Sequence, residues 1–412
     1  MSETPLNSPS AAQSSLRGGF MAAIFLMATS AIGPGFITQT ATFTAKLGAA
    51  FAFAILASIV IDFVVQLNIW RITTLTNRRA SETANAAIPG SGYLLAVLVI
   101  VGGLAFNVGN IAGAGLGLNA MLGLDPRIGG ALSALIAIAI FLSRRAGMLL
   151  DRMIIALGFL MIAMTVIVAF VSNPPVGEAL RQTILPDVID FPTITTIVGG
   201  TVGGYITYSG AHRLLDKGLT GAHNLPAVTR AALTGIAVTG VMRFVLFLAI
   251  LGVVASGVTL DLSSQAANPA AQAFAAALGD WGMRIFGVVL WAAALTSIIG
   301  AAYTSVSFLT VFSPMTDRAR DIATIAFIGF SLVVYLALGK APAAILVFVG
   351  GFNGLILPIG LTIFTYVGFA RSDLMGGHRY NRGLLALSAI TCILTWYMGA
   401  KSIGPIFAFL AQ

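Results

Sequence analysis

The chain has 412 residues, enough for two or three soluble domains, but 58% are hydrophobic and 9% charged, where a soluble domain carries about 25% charged residues. A water-facing surface cannot be assembled from that composition. The excess of 22 Lys and Arg over 14 Asp and Glu, a formal +8, is read as cationic loops on one side of a bilayer, not as a nucleic-acid face.

Residues 1–19 (MSETPLNSPSAAQSSLRGG) are polar and rich in Ser and Pro. They lack an apolar run ending in a small-residue cleavage site, which predicts a disordered cytoplasmic tail and no signal peptide. Beyond the tail, eleven runs suit helical spans of roughly 20 residues: 20–45, 48–70, 93–121, 128–143, 153–171, 193–212, 231–256, 284–312, 322–338, 342–368 and 384–409. Fifteen Lys and Arg fall in the tail and even-numbered loops. Five, Lys46, Arg127, Arg181, Lys340 and Lys401, fall on the other side. The asymmetry predicts a multi-pass protein of the inner (plasma) membrane, N-terminus cytoplasmic and C-terminus extracytoplasmic. Cys392 is the single cysteine, so no disulfide framework is expected. His212, His223 and His378 share no metal-site spacing, and no cofactor is expected.

The first span carries Gly33-Pro34-Gly35 in its middle. Proline removes a donor there and glycine removes helix preference. The sixth carries Gly199, Gly200, Gly203, Gly204 and Gly210, with Thr207, Tyr208, Ser209 and His212 after the glycine pairs. Both read as discontinuous helices, tolerated at membrane depth where the freed backbone faces protein or a watery cavity. They open two groups of five spans, 20–171 and 193–368, followed by an eleventh helix at 384–409. That is the pattern of an inverted-repeat secondary transporter with its site between the two breaks. In the third span, Gly109, Gly113 and Gly117 read more simply as small residues for close helix packing.

Ionisable residues at membrane depth are functional candidates. Asp62 stands nine residues before Arg71, roughly 13–14 Å by helical rise, with Gln66 four residues on. Arg243 lies similarly deep in the seventh span. Two readings stay open: a structural Asp62–Arg243 pair, or Asp62 as a coupling site. His212 reads either as a helix-terminal histidine bonded to a backbone carbonyl or as a proton relay. Arg213 and Asp216 are expected to form a local helix pair.

The order of spans, the two breaks and several strings resemble the NRAMP family of proton-coupled divalent-metal transporters, which have the LeuT-type fold. The strings are GAGLGLNAMLGL, RRAGMLLDRMIIALGFLMIA, VGGTVGGYITYSGAHRLLDKG and FNGLILPIG, and the likeness covers roughly residues 20–370. It implies an all-α protein with a 5+5 inverted repeat, alternating access and coupling to protons. The family's metal ligands do not carry over. Its Asp-Pro-Gly-Asn corresponds to Gly33-Pro34-Gly35-Phe36, and its Met-Pro-His-Asn to Thr207-Tyr208-Ser209-Gly210. The third-span acids near its proton path appear as Asn107 and Asn110.

A divalent ion entering a low-dielectric site needs oxygen ligands and charge neutralisation. Residues 20–45 contain no Asp or Glu. Half-helix N-termini instead suit anions. With Thr38, Gln39, Thr40, Thr207, Tyr208 and Ser209 nearby, the site reads as neutral and hydroxyl-rich, with His212 or Arg213 as a cationic tip. The expected cargo is a small polar or carboxylate-bearing organic solute, such as an amino-acid-like or lactam acid; the alternative is a divalent metal of the Mn or Fe type.

Other classes fit less well. Ser209 and His212 could be forced into a dyad, but no buried carboxylate follows to orient the histidine, so an enzyme is not expected. A channel would show a repeated polar ring, and no phosphate loop or nucleotide-binding domain supports ATP-driven transport. The expected partners are the bilayer, a small solute and protons, with oligomeric state undetermined.

Overall fold

The computed structural model describes the backbone of residues 33–411, with side chains except at 144–156 and 409–411. The expected tail, 1–19, and residues 20–32 of the first expected span lie outside the described residues. Every regular element among the described residues is helical. In chain order these are α1 (Pro34–Leu47), α2 (Phe51–Thr76), α3 (Ala80–Ala87), α4 (Ser91–Leu122), α5 (Pro126–Leu142), α6 (Arg144–Val171), α7 (Val176–Ile184), α8 (Phe191–Thr201), α9 (Ile206–Asp216), α10 (Leu225–Ala255), α11 (Pro269–Ser307), α12 (Asp317–Leu338), α13 (Pro342–Ala370) and α14 (Arg382–Ala411).

Local chemistry sets the ends. Pro fills the first helical turn of α1, α5, α8, α10, α11 and α13, where its missing N–H costs nothing. Asp125, Asp190, Asn268 and Thr316 cap α5, α8, α11 and α12 with side-chain oxygens. The 3₁₀ turn Gly48–Ala50 parts α1 from α2, with Gly48 at φ 55° and ψ −135°.

Among the described residues seven helical stretches are long and apolar enough to cross a bilayer, or eight if the pair Leu157–Val171 and Val176–Ile184, bent by 108°, is one span. The shortfall from the eleven runs in the sequence has a local cause. α8 and α9 are 11 residues each, α5 is 17, and α1 runs through the 3₁₀ turn into α2. Several expected loops are also helical: α6 begins at Arg144, α3 and α7 fill loop segments, and α11 begins at Pro269, kinked at Gly279 (φ 70°, ψ −167°).

Two sets of helices meet. α4 packs along α11 and α13 and against α5 and α12, while α2 packs on α10, α9 and α8. α8 joins the sets by lying against α13. Its backbone makes that contact directly: a Cβ on Gly199 would stand 1.9 Å from Gly350 O and 2.2 Å from Gly354 N. α4 uses Gly113 and Gly117 in the same way, against Pro34 and the Trp291 backbone.

Candidate functional site

α1 starts where the sequence stops supporting a helix. Gly33 is its N-cap, extended at φ −70° and ψ 177°, and no side chain caps the turn. Ile37 N–H bonds back to Gly33 O at 3.2 Å; Pro34 has no N–H, and the amides of Gly35 and Phe36 have no backbone acceptor among the described residues. No acidic residue stands in that first turn.

The next turn of α1 is polar and buried. Thr38 is fully buried, and its hydroxyl has no hydrogen-bond partner among the described residues. Gln39 Nε2 donates to Leu346 O at 2.9 Å, while Gln39 Oε1 has no partner. The Gln39 amide lies so close to α8 and α13 that a Cβ would stand 2.6 Å from it at Gly200 and 2.3 Å at Gly350.

The second helix start lies at residues 202–205, a turn between α8 and α9. Gly204 has φ 56°, and a Cβ there would meet Asn353 Oδ1 at 1.9 Å, so both conformation and space demand glycine. Past the turn, the residues at 207–210 divide by role. Thr207 O accepts from Trp70 Nε1 at 2.9 Å, and its hydroxyl is buried without a partner. Ser209 Oγ accepts from Thr304 Oγ1 at 3.1 Å. Tyr208 packs its ring on Phe308 and Phe364, and Gly210 is pressed against the Trp70 indole. Thr207 and Ser209 therefore supply polar groups, whereas Tyr208 and Gly210 supply packing.

Three residues that the sequence reading did not single out stand beside this turn. Asn353 donates to Gly102 O (3.1 Å) and Val349 O (3.0 Å), leaving Oδ1 unpartnered next to Gly204. Ser305 Oγ, also unpartnered, presses on Gly103 near Tyr205. Phe106 sets its ring edge-on to Tyr205. From α4, Asn107 donates to Ser331 Oγ at 3.2 Å with its own Oδ1 unpartnered, and the buried Asn110 amide faces the Tyr205 hydroxyl. Buried polar atoms are normally satisfied. The neutral donors and acceptors left open here lie on α1, α9, α4, α11 and α13, around the two helix starts.

The charged residues follow a different plan. Arg243 Nη1 meets Asp62 Oδ2 at 2.6 Å, and both side chains are 1% exposed. Thr201, the last residue of α8, donates to Asp62 Oδ1 at 3.0 Å. The guanidinium also lies 5.3 Å from the centroid of the Phe36 ring. This pair thus ties α2 to α10, the end of α8 and the start of α1. Gln66, four residues beyond Asp62, donates to Ala232 O.

His212 Nε2 accepts from the Ala80 backbone N–H at 3.1 Å, and its Nδ1 faces Ser307 Oγ at 3.2 Å. The expected carbonyl partner is replaced by an amide donor, which fixes Nε2 as the unprotonated nitrogen. Asp216, expected to pair with Arg213, bonds Arg79 at 2.9 Å. Arg213 itself is exposed. Among the described residues no group of three or more His, Cys, Asp or Glu is placed to hold a metal ion.

At the end of the bundle poor in Lys and Arg, α1, α8, α13 and α14 enclose a cavity of about 430 Å³. Nearby on that side, α7 carries an exposed cluster. Arg181 forks onto Glu178 (2.9 and 2.7 Å) and reaches Asp187 (2.9 Å). Hydrogen bonds from Arg181, then Gln182, hold the Glu178 carboxyl down at about 2.

The profile of a family described as natural resistance-associated macrophage protein-like, Nramp, matches residues 24–403. An "uncharacterized membrane protein" of Haemophilus influenzae is 52% identical over 387 residues, 94% of this chain and 96% of that one. The "uncharacterized membrane protein YcsG" of Bacillus subtilis is 49% identical over 379 residues, 92% of each chain. Among solved structures, a mutant of the manganese transporter of Eremococcus coleocola superposes with a TM-score of 0.76 at 14% identity, over 100% of this chain and 90% of that one. MhsT, in complex with L-phenylalanine, gives 0.65 at 18% identity, over 92% and 98%. At such identities the structural likeness speaks for the fold alone.

Proposed function

Because the chain belongs to the Nramp family, multi-pass membrane transporters and not enzymes, we propose that it is a secondary carrier for a small polar or carboxylate-bearing organic solute. In this reading it has eleven spans, a 5+5 inverted repeat over 20–171 and 193–368, and broken first and sixth spans. It sits in the inner (plasma) membrane with its N-terminus cytoplasmic and C-terminus outside. Alternating access moves α1, α2, α8, α9 and α10 against the helices around α4.

The observation that carries the cargo assignment is electrostatic. The polar atoms left open around the two helix starts, Thr38 Oγ1, Gln39 Oε1, Thr207 Oγ1, Ser305 Oγ and Asn353 Oδ1, are all neutral. Asp62 is the one buried carboxylate among the described residues, and Arg243 already neutralises it. A divalent ion would find oxygens there but no compensating charge, and its desolvation would go largely unrepaid. An organic solute needs only hydrogen bonds, and its carboxylate suits the amides at the α1 start. Proton coupling belongs to the same reading. Asp62, with Arg243 as counter-charge, is its first candidate; Asn107, Asn110, His212 and Arg213 are polar groups along the path.

The competing cargo is a divalent metal, as the name of the manganese transporter of the same fold says of that protein. Liposomes holding the purified chain and a metal-sensitive dye, given external Mn²⁺ and an inward proton gradient, decide between the two. No protein-dependent signal is expected. A saturable one would overturn the cargo assignment.

A further inference from the structure

The cavity of about 430 Å³ lies in the size range of small-molecule sites, roughly 300–1,000 Å³. Two of its lining residues are charged, Lys46 and Asp190. Asp190 is committed: its carboxylate accepts from Thr193 N at 3.0 Å and caps α8. Lys46 is exposed and makes no ion pair among the described residues. Its place in the last turn of α1 suits that helix's own dipole, which accounts for a cation there but not for the wall that faces it.

That wall carries amides without backbone acceptors. α13 starts at Ala341 with no side-chain cap, and its first backbone bond is Ile345 N to Ala341 O. The amides of Ala343 and Ala344, both lining the cavity, have no backbone acceptor among the described residues. Two threonines on the other walls, each a buried residue, make no side-chain hydrogen bond among the described residues. Thr40 and Thr44 of α1 bond back to the Phe36 and Thr40 carbonyls, but Thr42, 7% exposed, bonds nothing. On α8, Thr195 and Thr196 bond back to Phe191 and Pro192, but the Thr193 hydroxyl, on a residue 2% exposed, bonds nothing. Thr196 lines the cavity too, but its hydroxyl is taken by Pro192 O, so Thr42 and Thr193 are the lining threonines with a donor to spare.

We propose that this cavity is an outer binding site for a small carboxylate-bearing solute. The carboxylate lies between Lys46 and the α13 N-terminus, and the solute's other polar groups meet Thr42 and Thr193. The inference rests on the reading of the chain as a carrier of organic solutes, and it adds a place where such a solute waits before Gln39, the residue below it on α1, lets it pass.

The test uses the full-length protein with a cysteine at Ala344→Cys and, separately, at Val347→Cys, both positions lining the cavity. The unsubstituted chain, with only buried Cys392, is the blank. Modification rates by anionic 2-sulfonatoethyl and cationic 2-(trimethylammonium)ethyl methanethiosulfonate are each normalised to a free thiol. The expected result is an anionic preference of about tenfold that Lys46→Gln abolishes and that acetate, but not chloride of equal ionic strength, suppresses. A preference unchanged by Lys46→Gln, or acetate no better than chloride, overturns the site. Mn²⁺ uptake is read on the unsubstituted protein without thiol reagents, so failure of the cargo assignment and failure of this site are told apart.

Discussion

Gln39 on α1 donates to the Leu346 carbonyl on α13 at 2.9 Å, and the bond holds its amide in a slot with Gly200 on one side and Gly350 on the other. One side chain thereby ties α1 to α8 and α13, between the cavity beside Lys46 and the open polar atoms around 202–205. Since the slot exists only because two residues lack a Cβ, its tolerance to substitution can be forecast.

Gly350→Ala would place a methyl 2.6 Å from the Thr196 carbonyl as well as against Gln39. A backbone atom cannot step aside as a side chain can, so overpacking of ~1–3 kcal/mol is expected. Gly300→Ala on α11 meets nothing within 4 Å and should be neutral or gain up to ~1 kcal/mol of helix propensity. Thermal unfolding of the detergent-purified variants checks the contrast; equal midpoints would contradict the slot.

Removing one member of the Asp62–Arg243 pair strands the other charge. Asp62→Asn and Arg243→Met should each cost ~3–5 kcal/mol, and the double variant should recover a large part of it. A double-mutant cycle on thermal stability reads the coupling. Additive losses would show that the 2.6 Å contact contributes little of its own.

Gly210→Ala should be among the worst substitutions in α9, because its Cβ would stand 2.1 Å from the Trp70 indole. Trp70→Leu should partly rescue it by vacating that space. Trp70→Leu alone also loses the bond to Thr207 O, a net ~1 kcal/mol. Size-exclusion profiles of the two single variants and the double one are the measurement, and a double variant no better than Gly210→Ala would refute the contact.

His212→Ala leaves the Ala80 N–H buried without an acceptor, which should cost ~1–3 kcal/mol and loosen α3 first. Faster hydrogen exchange at residues 80–87 than elsewhere is the expected signature. Uniform loosening would point to a global packing role instead.

Glu178 has a folded-state value lowered to about 2 by Arg181 and Gln182. A lowered carboxyl value stabilises above its unfolded value, roughly 4.3, and that contribution is lost as pH falls through about 2. Protection of α7 against hydrogen exchange should therefore fade between those limits. In Arg181→Ala the folded value rises towards the unfolded one, so the fading should be smaller and should end at higher pH; an unshifted profile would sink the assignment.

Much of this was legible beforehand because membranes make chemistry conspicuous. In an apolar span Asp62 and Arg243 stand out by charge alone, and Pro34 or Gly204 by what a helix cannot accommodate. Asn353 and Ser305 were not legible. A neutral polar residue inside an apolar run gives no sign of which neighbour it faces, and it was the glycines opposite, Gly204 and Gly103, that decided it. Trp70 was hidden for a similar reason: an aromatic near a span end reads as an interfacial anchor, whereas here it is fully buried against α9. In the sequence His212 suits either a carbonyl-bonded helix end or a proton relay, and nothing local names its partner. Its actual partner comes from α3, a helix within an expected loop.

The buried ion pair also has a history within each molecule. Asp62 and Arg243 are 181 residues apart, so a ribosome delivers α2 to the membrane long before α10 exists. A lone carboxylate or guanidinium at the centre of a helix costs ~2.5–3.5 kcal/mol to insert. Assembly of this carrier must therefore pass through an intermediate that holds an unmatched acid in the bilayer until its base is synthesised. An insertion chaperone, or a proton borrowed by Asp62, would carry it over that interval.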